Sequence, residues 1–304
     1  MIGLLVMAYG GPNNLDEVEP YLMDVRGYRP TSPEIIHEVR ERYREIGGRS
    51  PIRERTQAQA DALQAALNAH GRDFTVFVGM RHWRPFIKDT LAEMSAAGIG
   101  KSVGLVMAPH YSRMSIGAYF KRIDEAGSSI KIEPVESWKL LPGYLEALEG
   151  RVRTALERFP AVVRADVPVI FSAHSLPERI LTWGDPYPDE LRATVAEMET
   201  RFPGQTTTFA FQSAAISNEP WLGPDAGSII AKYAAEGRKN ILIAPLGFVC
   251  EHVEVLYDVD VVFKKQAAGL GVRLERTEML NTAPQMIAGL AQLVREKAKA
   301  AGWL

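Results

Sequence analysis

Short apolar runs, each about the length of one buried strand, recur along this chain and are separated by longer stretches with helical periodicity. The runs are GLLVMA, FTVFVG and SVGLVMA, then VPVIFSA, TTFAFQS and NILIAPLGFV. Between them, helical patterns cover Thr56–His70, Pro85–Ala97, Tyr144–Arg158, Asp189–Arg201, Asp225–Glu236 and Gln285–Ala300. Such alternation predicts an α/β fold with parallel sheets flanked by helices. The two halves also resemble each other. GLLVMAYGG has a counterpart in VIFSAHSLP, and VGLVMAPHYS has one in ILIAPLGFV. The pattern predicts two similar Rossmann-like domains, residues 1–140 and 141–304, with a cleft between them and a C-terminal helix packing back on the first domain.

Composition narrows the function. With 304 residues, 46% of them apolar, the chain can bury a full core. Its 35 basic and 37 acidic residues leave a net charge of −2, so nucleic acid is not expected as a partner. No apolar stretch reaches the roughly 18 residues of a membrane helix, and Met1 leads straight into a strand-like run with no positively charged leader. Membrane insertion is therefore not expected. Cys250 is the single cysteine, which excludes an intrachain disulfide and a cysteine-ligated zinc or iron–sulfur site; a reducing cytoplasm is the expected location.

In open parallel sheets ligands bind beyond the carboxyl ends of the strands, and Tyr9, His110 and His174 all follow apolar runs there. A lone histidine at a strand end is more often a satisfied, half-buried side chain than a reactive one, so the neighbours of His174 decide. In GFVCEHVEVLYDVD, a helical reading puts Glu251, Glu254 and Asp258 at i, i+3 and i+7, one acidic stripe starting at the carboxyl end of the strand Ile241–Pro245. A solvated helix face is the plain alternative. Converging with His174, the stripe could bind a divalent metal or exchange protons near neutral pH.

Between Arg26 and Arg55 stand Arg26, Arg29, Arg40, Arg42, Arg44, Arg49, Arg53 and Arg55, with no lysine among them. About half can be assigned to solvated or i,i+4 pairing with Glu38, Glu41 and Glu45, but arginine used throughout suits fork-like recognition of carboxylates. An anionic small molecule is implied. AYGGPNN lacks the spacing of a dinucleotide loop, no GxxxxGK occurs, and SAHSLP is not a nucleophile elbow, so dehydrogenase and hydrolase readings recede.

With those residues in view, the chain resembles the ferrochelatases, which insert ferrous iron into a porphyrin. GLLVMAYGGP, YREIGGRSPI, APHYS, SAHSLPE with GDPYP, WLGPD, GFVCEHVEVLYD and NTAPQMI resemble family motifs in family order. The resemblance implies that the tetrapyrrole lies between the two domains, with residues of about 12–55 forming a porphyrin-binding insertion of the first. It implies His174 and Glu254 as the catalytic pair, contacting iron and accepting pyrrole protons, with a neutral imidazole as the acceptor. Tyr9 matches the position from which coproporphyrin-type members face the other side of the macrocycle and ligate product iron. Arg26, Arg42, Ser50 and Tyr119 fall where such members hold propionates. Porphyrin and ferrous iron are then substrates, no cofactor is tightly bound, and an iron donor and a downstream haem enzyme are transient partners.

Two features favour coproporphyrin III over protoporphyrin IX: the presence of Tyr9, and a short, polar segment after YLMDVRGY where membrane-associated relatives carry a longer apolar lip. Protoporphyrin ferrochelatase and a non-catalytic tetrapyrrole carrier are the alternatives. Val262 stands where some members continue the acidic stripe with a further carboxylate, and no cysteine-bearing extension follows AKAAGWL, so neither an outer metal site nor an iron–sulfur cluster is expected and a monomer is the default.

Overall fold

A computed structural model of the chain describes residues 1–69, 71, 73–214 and 219–304. The first half contains β1 (Ile2–Ala8), α1 (Val18–Val25), α2 (Pro33–Glu45), α3 (Ile52–Leu67), β2 (Phe74–Met80), α4 (Ile87–Ala96), β3 (Lys101–Val106), α5 (Ile116–Glu125) and β4 (Lys131–Val135). After α6 (Pro142–Leu156), the second half contains β5 (Val169–His174), α7 (Arg179–Thr182), α8 (Tyr187–Arg201), β6 (Thr207–Gln212), α9 (Ala226–Ala235), β7 (Asn240–Pro245) and α10 (Val253–Leu256). A π-helical turn, Asp258–Phe263, then leads into α11 (Lys264–Gly269), β8 (Arg273–Arg276) and α12 (Pro284–Ala300).

Each half builds one four-stranded sheet, ordered β2-β1-β3-β4 and β6-β5-β7-β8, with every pairing parallel. The identical order realises the internal repeat that the sequence shows. In both sheets the order reverses between the first and third strands of the half, and it is outside such a reversal that a crevice opens at the carboxyl ends.

Side-chain alternation sorts the core into layers. Leu4 and Val6 of β1 face a central cluster, whereas Leu5 and Met7 face an outer cluster with Leu91 of α4 and Ile123 of α5. In the second sheet Phe171 and Leu242 face the same central cluster, and Ile170 and Ile243 face an outer cluster with Ile230 of α9 and Phe263. Because β1 and β5 lie inside their sheets with both faces covered, they read as near-continuous apolar runs, β5 interrupted by the buried Ser172 before it ends at His174.

Two strands escape the sequence reading, β4 (KIEPV) and β8 (RLER). Both are sheet edges, short and partly charged, and β4 carries Pro134, which an edge tolerates. The helix read as Thr56–His70 begins earlier, at Ile52, and ends at Leu67; His70 lies outside the described residues. The C-terminal α12 packs between α6 and α3, where Arg295 donates to the Leu67 carbonyl, and Lys101 reaches the Trp303 carbonyl at 3.4 Å. Among the described residues no helix is long and apolar enough to cross a membrane.

Candidate active site

His174 is the last residue of β5. Pairing between β5 and β7 ends at Ser172↔Pro245, so the final two residues of β5 project past the end of β7. The following loop folds over that projection. Gly247 packs so closely that a Cβ there would lie 2.8 Å from Ala173 Cβ, so only glycine lets the loop settle against the base of His174. The His174 backbone is pinned further by the Tyr187 hydroxyl, which donates to its carbonyl at 2.9 Å, and by Ser175 N–H donating to the Gln212 carbonyl at 2.8 Å.

Glu254 enters from the segment after β7, in the first turn of α10. Gln212, fully buried at the end of β6, accepts from Ser172 Oγ at 2.7 Å and donates to the Glu254 backbone carbonyl at 2.9 Å, fastening α10 to the sheet. The result is a contact between His174 Nε2 and Glu254 Oε1 at 3.4 Å, with the two side chains 29% and 30% exposed. His252 Nε2 stands 3.5 Å from Oε2 of the same carboxylate. Glu254 thus sits between two imidazoles.

Burial works against charge on His174, but the Glu254 carboxylate and its hydrogen bond outweigh it, and His174 rises to about 9. Burial likewise opposes ionisation of Glu254, yet His174 and then His252 hold its carboxyl well below the usual carboxylate range. The two shifts together favour an imidazolium facing a carboxylate at neutral pH. An opposite charge within contact distance favours the ionised ring, so the neutral imidazole that the resemblance implies as proton acceptor is reached only when the ring gives up that proton.

The acidic stripe is only partly realised. Glu251 precedes α10 and turns away, pairing with Arg55 at 3.0 Å and accepting from Asn281 at 3.2 Å. Asp258 does follow Glu254, at the start of the π-helical turn, where it accepts a hydrogen bond from Ser213. Burial raises Asp258 above its usual value, the Ser213 bond opposes that, and the Glu254 charge adds to it. Val262 is 41% exposed on the outer side of the turn, in a shallow depression of about 430 Å³ lined also by Glu45, Tyr257 and Lys265.

Tyr9 follows β1 in the first half and is 37% exposed. Its depth pushes the phenol up to about 12, against the Arg81 guanidinium, which lies 5.9 Å over the ring; the Glu254 charge acts on it as well. Gly10 permits this corner, with φ at +90° and no room for a Cβ, which would lie 2.9 Å from Trp83 N. Against Tyr9 stands His82, whose ring centroid is 4.5 Å from the phenol. Arg81, His82 and Trp221, the last at 6.3 Å from the His174 ring, are site residues that sequence reasoning missed. RHW carries no motif by itself, and only the β2 register puts it beside Tyr9.

His110 does not join the cleft. It is 3% exposed, bonds Thr194 Oγ1 at 2.8 Å, and is held neutral by burial, which lowers it to about 3. The remaining expected contacts are spread around the lip. Arg26 is exposed at the end of α1, whereas Arg42 pairs with Glu38 at 2.6 Å and lies 5.5 Å over the Tyr257 ring. Ser50 is 6% exposed and accepts from Ile52 N–H at 3.3 Å, and Tyr119 is 5% exposed with Arg81 over its ring at 5.5 Å. Arg44, Arg49 and Arg55 pair with Glu41, Glu54 and Glu251. Arg26, Arg29, Arg40 and Arg53 make no ion pair among the described residues.

Comparison with known proteins gives this geometry a family. The model of the ferrochelatase family matches residues 1–298. The chain belongs to the ferrochelatase family. A ferrochelatase of Herpetosiphon aurantiacus is 44% identical over 296 residues, covering 96% of this chain and 97% of the relative. A coproporphyrin III ferrochelatase of Oceanobacillus iheyensis is 38% identical over 303 residues, covering 98% of this chain and 97% of the relative. Among solved structures, the sirohydrochlorin chelatase SirB of Bacillus subtilis in complex with cobalt aligns with a TM-score of 0.58 at 9% identity, covering 98% of this chain and 96% of that one. At that identity the likeness concerns the fold, a two-sheet chelatase architecture. Membership makes the chain a metal chelatase acting on a porphyrin and iron.

Proposed function

We propose that the chain inserts ferrous iron into coproporphyrin III to give coproheme, with His174 and Glu254 as the catalytic pair and Tyr9 facing the macrocycle from the opposite wall. The observation that carries the mechanism is the 3.4 Å contact between His174 Nε2 and Glu254 Oε1 at the carboxyl edge of the second sheet. Insertion strips water from iron, bends the ring to expose a pyrrole lone pair and releases two pyrrole protons. The Glu254 carboxylate favours a protonated His174, and the ring acts as an acceptor only after losing that proton. An approaching dication disfavours the imidazolium by like-charge repulsion, its proton passes by way of Glu254 to solvent, and the neutral ring is then free to take a pyrrole proton or to contact iron. Glu254 stabilises the charge each time it returns, and Asp258, one turn along with its raised pKa, is the next carboxylate outward. Bending of the macrocycle is strain drawn from binding elsewhere on the substrate.

That binding is assigned to the propionates. Arg26 and Arg42 are the proposed direct contacts; Ser50 and Tyr119 shape the wall, Ser50 at the base of the lip and Tyr119 beneath Arg81. Four propionates rather than two suit a lip in which Arg26, Arg29 and Arg40 make no ion pair among the described residues and Arg42 can exchange its exposed Glu38 partner for a propionate, and Tyr9 supports the coproporphyrin assignment. The same reading makes the chain a cytoplasmic monomer without a resident cofactor or iron–sulfur cluster, taking iron from a donor and passing coproheme to a haem enzyme. The test is an anaerobic absorbance assay with ferrous iron and, separately, coproporphyrin III and protoporphyrin IX. Faster metallation of coproporphyrin is expected. A preference for protoporphyrin would discard the substrate assignment, and tight binding of both without metallation would leave a carrier.

A further inference from the structure

A buried carboxylate outside the catalytic pair stands behind the Tyr9 wall. Asp24, 8% exposed, lies in the last turn of α1, in the lip inserted between β1 and β2. Its Oδ1 is 2.7 Å from His82 Nδ1, its Oδ2 accepts from the Tyr28 hydroxyl at 3.3 Å, and Arg122 Nη2 of α5 is 3.9 Å away. The His82 ring in turn lies against Tyr9, centroids 4.5 Å apart and planes inclined by 52°. The backbone repeats the link, because His82 N–H donates to the Tyr9 carbonyl at 2.9 Å.

An ionised carboxylate only accepts hydrogen bonds, so the hydrogen on His82 Nδ1 faces Asp24 whatever the charge on the ring. Turning the ring over would put a carbon in its place and break that bond. Asp24 therefore fixes the orientation of an aromatic ring that itself limits rotation of the Tyr9 phenol.

We propose that Asp24 is a positioning residue: through His82 it sets the angle at which Tyr9 meets the macrocycle on the side opposite His174 and Glu254. The proposal rests on the reading of the cleft given under the proposed function. It differs from a lip anchor, a role that the Tyr28 bond and the bond from Trp83 Nε1 to Glu17 Oε2 at 2.7 Å also serve.

The test compares wild type with Asp24→Asn, Tyr28→Phe and Tyr9→Phe. Asparagine keeps the size of the side chain but can donate as well as accept, so it no longer dictates which His82 nitrogen carries hydrogen. In 15N-histidine NMR, with His82 assigned by its loss in His82→Gln, wild type is expected to show one Nδ1–H form and Asp24→Asn a mixture. In metallation of coproporphyrin III, Asp24→Asn is expected to lower kcat roughly tenfold with KM within about twofold. The visible spectrum of its ferric coproporphyrin complex should move in the direction seen for Tyr9→Phe. Tyr28→Phe is expected to match wild type in all three readouts. Wild-type kcat and spectrum in Asp24→Asn, whatever its melting temperature, would overturn the positioning role alone. Wild type that metallates no porphyrin would overturn the functional reading and this proposal with it, and Asp24→Asn would then register only in the NMR spectrum.

Discussion

His174 and Glu254 each lose solvation on entering the cleft, and each holds its charge because the other is there. The clearest expression is the ring's own titration. In wild type the His174 imidazole should titrate near pH 9, and in Glu254→Gln its midpoint should fall by at least about one unit, since burial then meets less opposition. An NMR titration of the ring protons reads this directly, and an unmoved midpoint would refute the pairing. The stability signs follow. His174, with its folded-state pKa raised, stabilises fully below about pH 6.5 and ceases to as pH rises through about 9; Glu254, with its pKa lowered, stabilises above about pH 4.5 and ceases to as pH falls. His110 behaves oppositely to His174. Its folded-state pKa of about 3 lies below the unfolded value of about 6.5, so the unfolded chain gains a proton first and stability drains away as pH falls through that interval. His110→Asn should lose stability at pH 7, yet between pH 6 and 4 its stability should fall less steeply than wild type by about 1.4 kcal/mol per pH unit. Urea denaturation of both proteins across that range checks the difference in slope.

At the scale of elements, the contact between His174 and Glu254 depends on where β5, β6 and β7 end relative to one another. Gln212 closes this arrangement, since its amide joins Ser172 to the backbone of Glu254. Gln212→Ala leaves Ser172 Oγ and the Glu254 carbonyl without that partner, and should cost about 1–3 kcal/mol by chemical denaturation while lowering metallation further than the stability loss explains. Full activity would show that α10 is held by other contacts. The strand ends also decide how much of the site can be read from sequence. His174 is legible because a polar residue closing an apolar run marks a strand end, whereas Glu254 is read as one of an acidic stripe and is singled out only by the family resemblance; Gln212, which ties α10 to the sheet, has no signal in sequence. Glu251 misleads because its helical spacing from Glu254 falls in the loop before α10, where Arg55 draws it away. His110 misleads for a different reason: a strand end opposite a neighbouring helix leads into the interior, where Thr194 of α8 meets it. His82 leaves no local signal, since its meaning arises only from Tyr9 and Asp24, 73 and 58 residues away. The edge strands β4 and β8 were hidden by their charge, the same property that protects an open edge.

The whole molecule is less divided than its two sheets suggest. A single hydrophobic cluster runs from Leu4 and Val103 of the first sheet through Tyr144, Leu148 and Leu290 of the intervening helices to Phe171 and Leu242 of the second. Polar contacts cross at the same level. Asp185 accepts from Ser112 Oγ at 3.0 Å and from Arg113 N–H at 2.8 Å, Glu190 accepts from Tyr111 N–H at 3.1 Å and from Lys139, and the Tyr144 hydroxyl donates to the Leu246 carbonyl at 2.7 Å. Domains that move as separate bodies are joined by small, polar interfaces, whereas here the shared layer is apolar and continuous. A continuous apolar layer of this kind opposes a hinge between the halves. The consequence is thermodynamic: the chain should unfold in one cooperative transition, with calorimetric and van't Hoff enthalpies equal. Glu190→Ala, which strands Lys139 and the Tyr111 amide at the junction, should lower stability by about 3 kcal/mol without splitting that transition. Differential scanning calorimetry decides between the two architectures, because two resolved transitions in either protein would mean that the halves fold independently and that the cleft can open between them.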